Sequence, residues 1–419
     1  MREKMKWVGV GGLALVFCFF VLSGPAVAQD KIKVGVMFSM TGAGSAIGKI
    51  QLDGVKLAIK QLNDAGGVSV GGKKLKVEAV IRDDESKPDV AVRRFRELFQ
   101  DEKVNAFVGC TFAHISKALN EQAAQMKEVL FFPVNGIPES IFSKNEKAPY
   151  TLNNLGANEG VGRISADYVA RKFKPKHVVL FLPDYAYGRG AGAGANKVFN
   201  SRYPDIKVSE VWSPLGTPDF TSYINKIEEL KPDVVMLGHW GNDGIGVLKQ
   251  IYEMKLAKKT KIFYNWIINV FAVGVPAEAM EGITCQMWWY WDMAGFKDSA
   301  VVKASQQLSD AWRKEYNEPP DPYAMNAYAG MMDLARGWGI AKSVDPAKTY
   351  KAIMDNPKFE GPKGPATWRV DGRAHYKYTS FIVEGKGPKD RKDPKWDYAK
   401  VIDTYEGDDY ELTPKELGW

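Results

Sequence analysis

Apolar residues along this chain recur in two alternating rhythms. Positions 32–38 alternate toward one buried face, which predicts a strand, and 52–62 carry apolar residues at helical spacing until Gly66-Gly67 stops them. The pattern then predicts a strand at 75–81 ending in Asp83-Asp84, and an amphipathic helix at 90–99 with basic outer positions. A buried strand at 106–109, a helix at 116–126 and a strand at 129–132 closed by Pro133 follow. Strands that alternate with helices imply right-handed crossovers and a mostly parallel sheet.

The rhythm restarts after a short extended stretch at 150–154. It predicts a helix at 160–172, a strand at 178–182, a glycine-rich run at 187–194, a helix at 220–230, a strand at 234–237, a helix at 246–254 and a strand at 261–264. Long helices at 299–316 and 323–341 and a shorter one at 347–354 come next. The stretch 367–404 then reads as strands and hairpins with turns at Asp371-Gly372 and Glu384-Gly385. The fold class is therefore α/β, with two doubly wound lobes.

The first residues change the picture by assigning a compartment. Arg2, Lys4 and Lys6 make a basic start, 13–22 is an apolar core, and Ala26-Val27-Ala28 precedes Gln29 as a small-x-small cleavage site. The apolar run is shorter than the ~20 residues a membrane-spanning helix needs. A cleaved signal over 1–28 predicts export to the periplasm and a mature chain from Gln29. The signal carries Arg2, Lys4 and Lys6 against Glu3, so the formal charge of +7 falls to +5 on cleavage. That mild, dispersed balance does not point to nucleic acid. Cys18 leaves with the signal, and Cys110 and Cys285 are too few for a disulfide framework.

Enzyme signatures are poor. Gly44-Ser45-Ala46-Ile47-Gly48-Lys49-Ile50 is one residue short between its glycines for a P-loop, and Ile50 stands where a hydroxyl belongs. The run from Gly190 to Ala195 lacks the preceding strand end and the acidic partner of a dinucleotide site, and reads as a helix start close to a sheet. Asp83-Asp84 reads as a turn before the Lys87-Pro88 helix entry. Four histidines, none in a ligand motif, predict no metal site and no cofactor.

Several ordered pieces carry a resemblance. They are Gly54-Val55-Lys56-Leu57-Ala58-Ile59 through Asn63-Asp64-Ala65-Gly66-Gly67-Val68, Asp83-Asp84-Glu85-Ser86-Lys87-Pro88, Val108-Gly109, Pro183-Asp184-Tyr185-Ala186-Tyr187-Gly188, Asp219-Phe220-Thr221 and Lys231-Pro232-Asp233-Val234-Val235. Together with the loop Ser39-Met40-Thr41-Gly42 they resemble the leucine/isoleucine/valine-binding branch of the type I periplasmic binding proteins. The resemblance implies a non-enzymatic, monomeric receptor that catches a small-molecule solute between two lobes and presents it to the membrane permease subunits of an ABC importer. A ligand sensor of the same fold, signalling to a regulator or membrane kinase, is the alternative. Lobe one would hold 29–150 plus 290–365. Lobe two would hold 151–289 plus 366–419, with the chain crossing back near Thr367.

The resemblance also implies where ligand would sit. In lobe one it points to Met40 and Thr41, to Phe112, Ala113 and His114, and to Val134, Asn135 and Gly136. In lobe two it points to Tyr185 and Tyr187, His239 and Trp240, and Trp266 and Ile267. Two departures matter: Ala113 and His114 stand where amino-acid receptors of the family offer a hydroxyl, and no carboxylate stands near Ile267 for an ammonium. Trp240, Trp266, Tyr185 and Tyr290 would serve either as an aromatic cage for a cation or as stacking partners for an apolar or aromatic ligand. Trp288-Trp289-Tyr290-Trp291, at the expected lobe crossover, reads equally as core or as more of that lining. His114 and His239 are candidate polar anchors or ordinary loop histidines.

Overall fold

The computed structural model describes residues 31–407 and 409–419. The predicted export signal lies outside them. The first lobe is built on β1 (Lys31–Phe38), α1 (Ser45–Asp64), β2 (Val68–Val70), β3 (Lys73–Asp83), α2 (Pro88–Gln100), β4 (Ala106–Gly109), α3 (Ala113–Met126), β5 (Leu130–Pro133) and β6 (Tyr150–Thr151). They form a sheet of order β2-β3-β1-β4-β5-β6, parallel except for the antiparallel β2 edge. Alternation along the strands loads both faces: Val34, Val36, Val108 and Phe132 enter one core with α1, while Met37, Phe107 and Phe131 enter another with α2 and α3. That two-sided burial is why these strands are nearly all apolar.

The second lobe follows with α4 (Asn158–Phe173), β7 (His177–Pro183), α5 (Ala186–Arg202), β8 (Lys207–Ser213), α6 (Thr221–Leu230), β9 (Val234–Leu237), α7 (Asn242–Glu253), β10 (Lys261–Tyr264), α8 (Asn269–Val273) and β11 (Thr284–Met287). The glycine-rich run is part of α5, and its glycines serve helix–helix contact as well as the sheet. A Cβ on Gly162 of α4 would stand 1.8 Å from the Ala191 carbonyl oxygen of α5, and one on Gly194 of α5 would stand 2.0 Å from that of Glu159. Only at Gly188, 1.9 Å by the same construction from the Pro183 carbonyl, does the run bring the helix start against its strand.

The chain returns with α9 (Ser299–Tyr316), α10 (Pro322–Ala341), α11 (Pro346–Asp355) and a small antiparallel sheet of β12 (Lys358–Gly361), β13 (Gly364–Trp368) and β14 (Ala374–Tyr376). Phe359, Ala366, Trp368 and Tyr376 of that sheet join Met331, Leu334 and Trp338 of α10 in the α1-side core of the first lobe. The crossing expected near Thr367 therefore comes later, at Lys377. There β15 (Tyr378–Gly385) and β16 (Ala399–Glu406) extend the second sheet, whose order is β16-β15-β11-β10-β9-β7-β8. Glu384-Gly385 is not the expected turn: both residues pair with β16 inside β15.

Three segments thus join the lobes: 152–157, 288–298 and Lys377. Asn153 of the first segment bridges in parallel to Arg373, just before β14. Arg373, 3% exposed, is held by Asp371 at 3.2 Å and Glu411 at 2.7 Å, and Arg163 pairs with Glu139 beside them. The last residues run over this region, where Trp419 Nε1 donates to the Phe142 carbonyl at 2.8 Å and Leu417 packs on Ile137 and Phe142. Cys110 and Cys285 are buried and unbridged.

Because α4 and α5 touch backbone to backbone, Gly162→Ala should lower stability by about 1–3 kcal/mol through overpacking. In an open helix the same change adds up to about 1 kcal/mol. The sign of the change in midpoint in urea denaturation decides between these cases.

Candidate functional site

Parallel sheets put every strand's following loop at one edge, and in open α/β sheets that edge binds ligands. On the first lobe the edge carries Ser39 to Gly44 after β1, Cys110 to Phe112 after β4, and Val134 to Gly136 after β5. On the second it carries Asp184 and Tyr185 after β7, Gly238 to Gly241 after β9, Asn265 to Ile268 after β10, and Trp288 after β11. The two edges meet: a Cβ on Gly241 would lie 2.8 Å from the Ala43 carbonyl oxygen.

Seven rings form a closed circuit there. Phe112 lies 5.8 Å from Tyr185, which lies 6.0 Å from Tyr187. Tyr187 stacks on Trp266 at 5.7 Å, and Trp266 meets Trp288 edge-on at 4.6 Å. Trp288 lies 4.7 Å from Tyr323, Tyr323 lies 5.4 Å from Trp240, and Trp240 returns to Phe112 at 5.1 Å. Trp240 Nε1 donates to the Tyr323 hydroxyl. Both lobes contribute, and one hydrophobic cluster runs through the whole circuit. Burial pushes the Tyr187 hydroxyl well above its ordinary value and does the same to that of Tyr323.

The other expected residues divide. His114 stands beside the circuit, 5.2 Å from Phe112 and 5.8 Å from Tyr185, with Nδ1 buried and unpartnered. Ala113 and His114 are not loop residues but the first turn of α3, where backbone N–H groups have no intrahelical acceptor. Gly136, at φ 61°, lies against that turn, and a Cβ there would be 2.5 Å from the Ala113 nitrogen. Asn135 donates to the Thr111 carbonyl and leaves Oδ1 buried without a partner. Thr41 is exposed and donates its hydroxyl to Asp83, which also accepts from the Met40 N–H.

Three expectations fail on side-chain direction. His239 turns into the second lobe, 4.3 Å from Phe181 and 5.1 Å from Phe220, with Nε2 at 2.9 Å from Ser213 Oγ. Burial lowers its pKa to about 3, so it is a neutral core histidine rather than an anchor. Val134 packs in the α1-side core. Tyr290 meets Tyr398 edge-on at 5.4 Å and touches no ring of the circuit, so it is not part of a cage. Tyr323 and Trp288 are the members that sequence reasoning missed or left open. The sequence does start a helix at Tyr323, and Asp321 caps it, but no local signal carries that helix start to the seam.

Chemically the circuit offers ring faces and N–H donors. Trp288 Nε1 is buried and unpartnered, and the α3 first turn lies beside Phe112. Two acids flank the rings, and both are engaged by backbone. Asp243 accepts from the Gly216 N–H, and Asp321 from the Tyr323 N–H. Burial raises them to about 6 and about 7. Among the described residues no group of three or more His, Cys, Asp or Glu is placed to hold a metal ion. A wide depression of about 1170 Å³ lies at the opposite edge of the second sheet, around Lys174, Lys231 and Lys261.

Two lobes facing each other across a ring-lined seam define a two-lobed solute-binding protein. The sequence profile of the family described as periplasmic binding protein matches residues 31–388, and the chain belongs to that family. Its relatives include the leucine-, isoleucine-, valine-, threonine- and alanine-binding protein of Pseudomonas aeruginosa. That protein is 25% identical over 362 residues, covering 85% of this chain and 91% of the relative. A solved periplasmic binding protein from Burkholderia mallei superposes with a TM-score of 0.80 at 24% identity, covering 92% of this chain and 98% of that one. A solute binding protein of an ABC transporter from Rhodopseudomonas palustris BisB5, solved with 3,4-dihydroxy benzoic acid, does so with a TM-score of 0.76 at 23% identity, covering 90% and 98%. Members of the family bind small-molecule solutes and work with ABC permeases.

His239 supplies a pH test. Its folded pKa lies below the unfolded value, so its contribution is present above pH ~6.5 and is lost as pH falls toward 3. His239→Gln should remove up to about 1.4 kcal/mol per pH unit from the acid-side slope of urea-derived stability. An unchanged slope would place the imidazole in water.

Proposed function

We propose that this chain is the exported solute receptor of an ABC importer, binding between its lobes a small solute with a planar or apolar body and a carboxylate or amide head. It releases that solute unchanged to the membrane permease. The observation that carries this reading is the closed circuit of Phe112, Tyr185, Tyr187, Trp266, Trp288, Tyr323 and Trp240 at the meeting edges of both sheets. Ring faces suit a flat body, and aromatic pairs contribute about 0.5–1.5 kcal/mol beyond area burial. The α3 first turn and Trp288 Nε1 suit a head that accepts hydrogen bonds.

An α-amino acid fits less well. Its ammonium would have only ring faces to meet it, because the two flanking acids already serve backbone N–H groups. The Rhodopseudomonas palustris relative, solved with 3,4-dihydroxy benzoic acid, has the same fold and supports an aromatic acid as the first compound to try. The Pseudomonas aeruginosa relative keeps branched-chain amino acids on the panel.

Thermal-shift and calorimetric titration of the mature protein should find saturable binding among aromatic acids or amides, and weaker or no binding of leucine, isoleucine and valine. A ligand at about 100 times its dissociation constant adds about 2.7 kcal/mol of stability. Trp266→Ala and Trp240→Ala should each weaken that binding about tenfold or more, about 1.4 kcal/mol. Tight leucine binding that survives both substitutions would sink the reading.

A further inference from the structure

A small cavity beside the first lobe crossing shares no residue with the aromatic circuit. Its volume is about 30 Å³, and its walls include Asn154, Lys363, Arg373, Tyr376 and Glu411. By this measure a single water needs ~10–15 Å³, so the space holds roughly two waters or one monatomic ion.

Lys363 is the telling wall residue. It is 6% exposed, and its described partner is the ring of Tyr376, 4.7 Å from Nζ. Two described acids of the neighbourhood are committed elsewhere. Asp371 lies 2.8 Å from Arg369 and 3.2 Å from Arg373, while Glu411 lies 2.7 Å from Arg373 and accepts from the Ala157 N–H at 3.3 Å. Burial alone acts on the ammonium, lowering its pKa to about 7, with no acid raising it. A buried cation without an anionic partner is costly, and a cavity at its side is where a partner fits.

We propose that this cavity binds a monovalent inorganic anion of the size of chloride, held by the Lys363 ammonium. The walls come from one lobe crossing, Asn154 to Gly156, and from residues on either side of another, Ala374 to Tyr376 before Lys377 and Thr379 after it. A bound anion therefore ties the two crossings together and stiffens the hinge. This site is separate from the solute seam, and its test needs no solute.

The experiment is thermal unfolding of the solute-free mature protein in sodium chloride against sodium gluconate at constant ionic strength. The wild type should gain about 1–3 °C, saturating with chloride, as expected for a ligand bound only by the folded state. Lys363→Met should unfold at the same temperature in both salts. Equal midpoints for the wild type in the two salts overturn the proposal, as does a chloride gain that persists in Lys363→Met. If that variant does not fold, chloride-35 NMR on the wild type reads the same site. Line broadening that saturates over the same concentrations supports the proposal, and its absence overturns it.

Discussion

Everything in this molecule depends on the direction of its strands. In a parallel sheet each strand must be followed by a crossover, so all the loops that leave the carboxyl ends gather on one edge. Two such sheets set edge to edge bring together rings that are far apart in sequence: Phe112 after β4, Tyr185 after β7, Trp240 after β9, Trp266 after β10 and Trp288 after β11. No local segment could build that circuit. The aromatic side chains also belong to the hydrophobic cluster that stabilises both lobes, so the seam is continuous with the core. Substitutions there act on binding and stability together.

The legible parts of the fold are those where burial imposes a period. Strands β4 and β9 are apolar throughout, and β1 and β10 are so beyond the lysines at their starts, so they stand out against the helices around them. Strand β8 was illegible because it is an edge strand whose residues are mostly half-exposed and polar, as in Lys207 and Glu210. The helix α5 was read only as a glycine run, because glycine is a poor helix former and its use here lies in contact with α4, which no local pattern reports. Glu384-Gly385 looked like a turn for the same reason: a Cβ on Gly385 would stand 1.9 Å from the Met280 carbonyl, a long-range approach.

Site residues were legible by position and not by direction. Strand ends name the loops at the meeting edges, and Phe112, Tyr185, Tyr187, Trp240 and Trp266 lie together there. His239 and Trp240 are neighbours in one loop, yet one enters the second lobe's core and the other the seam. Tyr323 comes from a helix that returns to the seam after the second crossing, and its place depends on packing between α1 and α10, where a Cβ on Gly54 would stand 2.3 Å from the Ala324 carbonyl. Charge is sorted in the same long-range way. Arginine–carboxylate pairs collect behind the hinge while the seam is left to rings and backbone amides.

Three of the twelve tryptophans, Trp240, Trp266 and Trp288, are members of one contiguous circuit fed by both lobes. Their indoles are nearly dry, at 4%, 3% and 2% exposed, and Trp240 is hydrogen-bonded to a tyrosine hydroxyl. Any change in how the lobes meet alters the polarity around several indoles at once. The protein therefore carries its own optical reporter, in which lobe movement can be followed by intrinsic fluorescence without a label.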